Sequence, residues 1–249
     1  LHSFPTRRSS DLEEPLQIVS VIDTHFQNSN RLANSSFQDK RALVTAGPTI
    51  EVIDPVRFVS NRSSGKMGYA IAEALRNRGA IVTLVAGPTT LEDPKDIEVI
   101  HVQSAEEMFE QVTSRFEEQD IVVKAAAVSD YTPVDVLEHK MKKQDGDLSV
   151  SFKRTKDILK YLGEHKTSQY LISFAAETED IENYAQQKLR KKNADVIISN
   201  NVGDMSIGFS SDDNELTMHF KNNEKVNIKK GKKVVLAAQI LDELETRWQ

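Results

Sequence analysis

The sequence predicts an α/β, Rossmann-like fold: a mostly parallel sheet flanked by helices, with a small C-terminal β-hairpin extension. Two observations predict it. From Arg41 onward, short apolar runs alternate with stretches of helical period, and the connections between them are short. Near the end, two strand-like runs flank an Asn-Asn-rich turn with no helix between them.

In order, Arg41–Ala46, Ala80–Ala86, Ile97–Val102, Ile121–Ala126, Tyr170–Phe174 and Val196–Ser199 read as strands. Helical patterns cover Gly65–Arg78, Ala105–Glu117, Thr155–Glu164 and Asp180–Lys191. Glu215–Phe220 and Lys225–Ile228 form the hairpin, and Lys232–Arg247 closes the chain as a helix. No internal repeat or low-complexity tract interrupts this order.

Composition bounds the function. A chain of 249 residues can bury a sizeable core, and its apolar and charged fractions are ordinary for a globular protein. No apolar run approaches the ~18 residues needed to span a bilayer. The net charge of −6 argues against broad nucleic-acid binding but leaves room for a local basic pocket. With no cysteine, disulfides, thiolate metal sites and cysteine nucleophiles are excluded, and a reducing compartment fits.

Residues 1–12, LHSFPTRRSSDL, carry Arg and Ser as a transit peptide does but lack amphipathic period. They resemble the translation of a sequencing-library adapter and are expected to be non-native. Residues 13–26 read as an amphipathic helix, with Leu16, Val19, Ile22 and Phe26 on one stripe. Residues 27–39 read as a polar linker, and 40–249 as the main domain.

In open parallel sheets, ligands bind beyond the carboxyl ends of the strands. After the first strand come Gly47-Pro48-Thr49, Asp54-Pro55-Val56-Arg57, and then Asn61 followed by Ser63-Ser64-Gly65-Lys66-Met67-Gly68. Hydroxyls, backbone N–H groups and a lysine entering a helix suit an anion. The same serines could instead simply cap the helix. This is neither a Walker A loop nor a G-x-G-x-x-G fingerprint. The fourth strand ends in Lys124-Ala125-Ala126, with Asp130 just beyond; a buried strand with a turn aspartate is the plainer alternative. Next comes the basic run His139-Lys140-Met141-Lys142-Lys143, which as a charge run is ordinarily a solvated face; His139 is read as incidental. Phe174 ends the fifth strand, and Lys188 and Lys192 stand one helical turn apart. With no metal-ligand His pair and no Ser-His-Asp arrangement, phosphate chemistry fits this set of loops best.

The blocks VTAGPT, IDPVRFVSNRSSGKMG, AAVSDY, KMKK and FAAET, in this order, resemble the phosphopantothenate–cysteine ligase family, in particular the ligase half of the bacterial bifunctional decarboxylase/ligase. The likeness runs from about Arg41 to Leu244. It implies activation of 4'-phosphopantothenate by CTP to an acyl-cytidylate, with release of pyrophosphate. L-cysteine then displaces CMP to give phosphopantothenoylcysteine, in coenzyme A biosynthesis. It further implies Mg²⁺, a homodimer that completes its site across the interface, a cytoplasmic location, and no nucleic-acid or membrane partner.

By this resemblance Asn61 holds the acyl intermediate and Lys140 neutralises charge at the α-phosphate, both as catalytic residues. Lys124, Ala125, Ala126, Asp130, Phe174, Lys188 and Lys192 belong to the CTP pocket with Lys140. Gly47, Pro48, Thr49, Ser63, Ser64, Gly65, Lys66, Met67 and Gly68 form the phosphate and substrate loop. The family's Asn-Pro-Asp-Ile motif is replaced here by Thr155-Lys156-Asp157-Ile158-Leu159, with Lys156, Asp157, Ile158 and Leu159 mapped onto the nucleotide-contacting turn. Residues 13–26 resemble the last helix of an upstream flavoprotein decarboxylase, so decarboxylase activity and FMN are expected to be absent. Two alternatives stand beside the ligase: a dinucleotide-dependent oxidoreductase on the same kind of sheet, and an inactive nucleotide-binding fragment.

Overall fold

A computed structural model describes residues 35–143, 148–177, 181–201 and 213–248. The expected segments 1–12 and 13–26 lie outside them. The strands are β1 (Arg41–Ala46), β2 (Ile50–Val52), β3 (Phe58–Ser60), β4 (Ile81–Ala86), β5 (Glu98–His101), β6 (Ile121–Lys124), β7 (Tyr131–Pro133), β8 (Phe152–Arg154), β9 (Tyr170–Glu177), β10 (Val196–Asn201), β11 (Asp213–Phe220) and β12 (Lys225–Lys232). The helices are α1 (Lys66–Asn77), α2 (Ala105–Thr113), α3 (Ile158–His165), α4 (Ile181–Lys191) and α5 (Lys233–Glu245).

Eight strands form one sheet in the order β12-β11-β10-β9-β6-β1-β4-β5. The six from β10 to β5 run parallel, and β11 and β12 add antiparallel to β10. The expected Rossmann-like sheet is therefore present. Its terminal hairpin widens the main sheet, because β11 pairs with β10 from Val196↔Phe220 to Asn200↔Leu216. Two small ribbons, β2–β3 and β7–β8, were not anticipated from the sequence. Each has three-residue strands, too short for a periodic signal to register.

Central β1 is buried from Ala42 to Ala46, as a parallel strand covered on both faces must be. Its side chains alternate: Ala42, Val44 and Ala46 join the cluster of α1 and α5, and Leu43 joins that of α2, α3 and α4. β4 lies on one side of β1 and β6 on the other, so the strand order reverses at β1. That reversal opens a crevice at the carboxyl edge.

Helix ends are set by local chemistry. Ser104 and Glu107 form a capping box at the start of α2. Asp157 accepts from Lys160 N at 2.9 Å and so starts α3 three residues later than the apolar period alone suggests. Phe37, within the expected linker, is buried and lies 5.2 Å from the Trp248 ring, so packing of the domain already includes it. Arg78 ties α1 to α5 through Asp242 at 2.6 Å and the Ala238 carbonyl at 3.0 Å.

Gly68 sets how closely α1 approaches the sheet. A Cβ there would meet Ala46 Cβ at 2.6 Å and the Thr45 carbonyl oxygen at 2.9 Å. Backbone cannot yield as a flexible side chain can, so Gly68→Ala should cost about 1–3 kcal/mol. For a domain of this size the thermal midpoint should fall by roughly 3–10 °C. An unchanged midpoint would contradict this account of the α1–β1 contact.

Candidate functional site

A cavity of about 410 Å³ opens at the carboxyl edge beside the strand-order reversal, a size that suits a small-molecule site. Its wall gathers segments far apart in sequence: Asn61, Ser63 to Gly68, Lys124 to Ala126, Asp130, Phe174 and Lys188. Four hydrogen bonds hold it in shape. Ala127 N donates to the Gly47 carbonyl at 2.9 Å, and Ser129 N donates to Thr49 Oγ1 at 2.9 Å. Ala126 N donates to Thr45 Oγ1 at 3.1 Å. Asn61 Nδ2 donates to the Ala127 carbonyl at 3.1 Å, which ties the loop before α1 to the loop after β6.

Gly47, Pro48 and Thr49 do not line the cavity; they support it from behind by pairing with residues 127–129. Ser63 Oγ accepts from Gly65 N at 3.3 Å, and Gly65 takes a left-handed φ of 76° as α1 begins. No side chain caps α1, so the plain capping role is not seen and the anion-facing role stays open to this loop.

Lys124 is the electrostatic centre. It ends β6, half-buried between Thr45 of β1 and Ser173 of β9. Burial, together with the positive charges of Lys188 and Lys192, lowers its pKa to about 8, and Asp157 and Asp130 oppose the shift. Lys192 Nζ pairs with Asp157 Oδ2 at 2.6 Å, and with burial opposing it this contact holds the Asp157 carboxyl below its usual range. Lys156 pairs with Glu106 and sits 4.9 Å above the Phe109 ring, away from the cavity. Ile158 and Leu159 are buried in the core beneath α3, so their side chains face the core and not a ligand.

Lys140 is exposed and does not line the cavity. Its neighbour Met141 is held in place: Met141 N donates to Asp54 Oδ2 at 3.1 Å, and its carbonyl accepts from Arg57 Nη1 at 3.4 Å. Asp54 also accepts from the N–H groups of Val56 and Arg57, both at 2.8 Å, and from the Arg57 guanidinium at 2.6 Å. Burial alone would raise its pKa, but these donors outweigh it and hold the carboxyl at about 2.

Four polar residues of the wall were not assigned from the sequence: Arg62, Asn200, Asn214 and Lys233. The carboxyl-edge rule, applied to the end of β10, reaches Asn200. Asn214 and Lys233 come from an antiparallel strand and the closing helix, where that rule says nothing. Among the described residues, no group of three or more His, Asp or Glu side chains is placed to hold a metal ion. No helix among them is long and apolar enough to cross a membrane.

Residues 37–247 match the family described as the DNA/pantothenate metabolism flavoprotein C-terminal domain. The chain belongs to that family. A relative from Bacillus subtilis (strain 168), the coenzyme A biosynthesis bifunctional protein CoaBC, is 48% identical over 234 residues, which is 94% of this chain and 57% of the relative. The CoaBC of Escherichia coli (strain K12) is 40% identical over 239 residues, again 94% of this chain and 57% of the relative. The chain thus spans little more than half the length of these relatives. The crystal structure of the C-terminal domain of CoaBC is 45% identical with a TM-score of 0.73, and the match covers 84% of this chain and 96% of that one. This family assignment agrees with the resemblance read from the ordered sequence blocks.

Proposed function

We propose that this domain is a phosphopantothenate–cysteine ligase that uses CTP. The observation that carries the reading is the convergence of Asn61, Lys124, Asp130 and Lys188 on one cavity at the carboxyl edge. In the first half-reaction, a carboxylate oxygen of 4'-phosphopantothenate attacks the α-phosphorus and the bond to the pyrophosphate oxygen breaks. In the second, the amine of L-cysteine attacks the acyl carbon, CMP leaves, and the amine gives up a proton. Catalysis of this type rests on positioning and on neutralising phosphate charge.

In this reading Lys124 and Lys188 offset nucleotide charge, and Asn61 orients the acyl group from its anchor on the Ala127 carbonyl. Lys140 swings from its exposed position to the α-phosphate. Asp130, a carboxylate of the cavity wall, would be the residue to hold Mg²⁺ alongside the substrate phosphates. When bound, the ion supplies further neutralisation of phosphate charge. Thermal midpoints with CTP, ATP and NADPH test the assignment: CTP should raise the midpoint most, whereas a shift with NADPH alone would favour the oxidoreductase reading.

We further propose that a second copy of the chain covers the face made by the two small ribbons. β2 lies beside β7, and Val56, Phe58, Val59, Tyr131, Val134 and Val136 expose apolar surface there. Grouped surface of this kind marks an interaction site. A homodimer through this face should become monomeric in Phe58→Asp, as read by light scattering after size exclusion. A wild-type monomer, or a Phe58→Asp dimer, would contradict it.

A further inference from the structure

Two lysines of α4 stand in different relations to the cavity. Lys192 N donates to the Lys188 carbonyl at 2.9 Å, which continues the helical turn and puts both side chains on one face. Lys188 lines the cavity, whereas Lys192 does not. The difference between them is Asp157. Its Oδ2 accepts from Lys192 Nζ at 2.6 Å, and its Oδ1 accepts from Lys160 N at 2.9 Å. One carboxylate oxygen is thus fixed to the start of α3 and the other is given to Lys192.

Two features make this pair separable. It is partly open to water, with 24% of the Lys192 side chain and 48% of the Asp157 side chain exposed, and a pair so exposed is held weakly. Asp157 also has a hold that does not depend on the lysine. As the N-cap of α3 it keeps its place when Lys192 leaves.

The surrounding charges favour an exchange. Lys188 and Lys192 both lie close enough to Lys124 to act on its charge, and Asp157 and Asp130 are the carboxylates among them. A polyanion beside Lys124 and Lys188 therefore attracts Lys192 and repels Asp157 at once. We infer that Asp157 is a displaceable counter-ion, which holds Lys192 back until a triphosphate arrives and then releases it to the ligand. Asp157 acts through Lys192 and is in this sense a positioning residue. The inference rests on the nucleotide side of the ligase reading.

Titration calorimetry with CTP and with inorganic triphosphate tests it in the wild type, Asp157→Asn, Lys192→Met and the double variant. Asparagine caps a helix as aspartate does, so the thermal midpoint of Asp157→Asn should stay near that of the wild type. Both ligands should bind Asp157→Asn about three- to fivefold more tightly, the scale of one exposed ion pair that no longer has to be broken. Asp157→Ser, a second neutral cap, should show the same gain. Lys192→Met should weaken both ligands, and on that background Asp157→Asn should gain less than about twofold, since no lysine is left to release. Unchanged or weaker binding by a well-folded Asp157→Asn would overturn the inference, because a carboxylate that merely supports the site gives a loss. A full gain that persists with Lys192→Met would overturn it too, as plain repulsion of the ligand. If the wild type binds inorganic triphosphate but not CTP and the cycle holds, the CTP reading fails and the inference stands. If CTP binds and the cycle fails, the inference alone falls; if the wild type binds neither ligand, both fall.

Discussion

Lys140→Gln is expected to lower CTP-dependent pyrophosphate release at least about a thousandfold, which corresponds to losing roughly 4 kcal/mol of transition-state stabilisation. The thermal midpoint should stay that of the wild type, because Lys140 is exposed. CTP affinity should fall much less than turnover, since this lysine acts only once its loop reaches the α-phosphate. The loop's base is anchored by Asp54, whose carboxylate accepts from Met141 N. Asp54→Asn weakens that anchor without removing the lysine, and turnover should fall about tenfold with Lys140 present. Near-normal pyrophosphate release from Lys140→Gln would remove this lysine from the mechanism.

The second large effect concerns Lys124. Its pKa of about 8 is depressed by burial first and by Lys188 next, and the ordinary value is 10.5. The sign follows from linkage. As pH falls from about 10.5 to 8, the unfolded chain takes up a proton that the folded lysine resists, so this group lowers stability in that window and holds it lowered below. A bound triphosphate favours the charged form and raises the pKa, so binding near pH 8 should take up a proton. CTP affinity should then fall as pH rises above 8, by up to about tenfold per unit. Lys124→Gln should abolish the proton uptake and lower CTP affinity at pH 7 by roughly 10–100-fold. The unliganded protein should melt a few degrees higher, because a buried charge is gone. Calorimetry in two buffers of different ionisation enthalpy reads the uptake; none at pH 8 in the wild type would contradict the account.

The parallel sheet was legible because its strands are long apolar runs with helices between them, from Arg41–Ala46 to Val196–Asn201. Legibility ended where stability comes from pairing and not from pattern. The ribbons β2–β3 and β7–β8 are three-residue pieces, and β11 and β12 extend beyond the expected hairpin to Asp213 and Lys232. In the site, position at strand ends made Lys124 and Asp130 candidates and resemblance assigned them, with Phe174, to one pocket; all three line the cavity, Phe174 from within β9. Lys156, Ile158 and Leu159 were carried by resemblance to a turn that here faces Glu106 and the core. Lys233 was out of reach because a lysine beginning a helix after a basic strand reads as a solvated end; only the ladder register shows it buried at the cavity wall.

The most direct test of the central claim is pyrophosphate release from CTP with 4'-phosphopantothenate and Mg²⁺, with and without L-cysteine, and with ATP in parallel. The account predicts release that requires 4'-phosphopantothenate and prefers CTP, with CMP and phosphopantothenoylcysteine appearing once cysteine is added. Folded protein that releases no pyrophosphate from either nucleotide would contradict it.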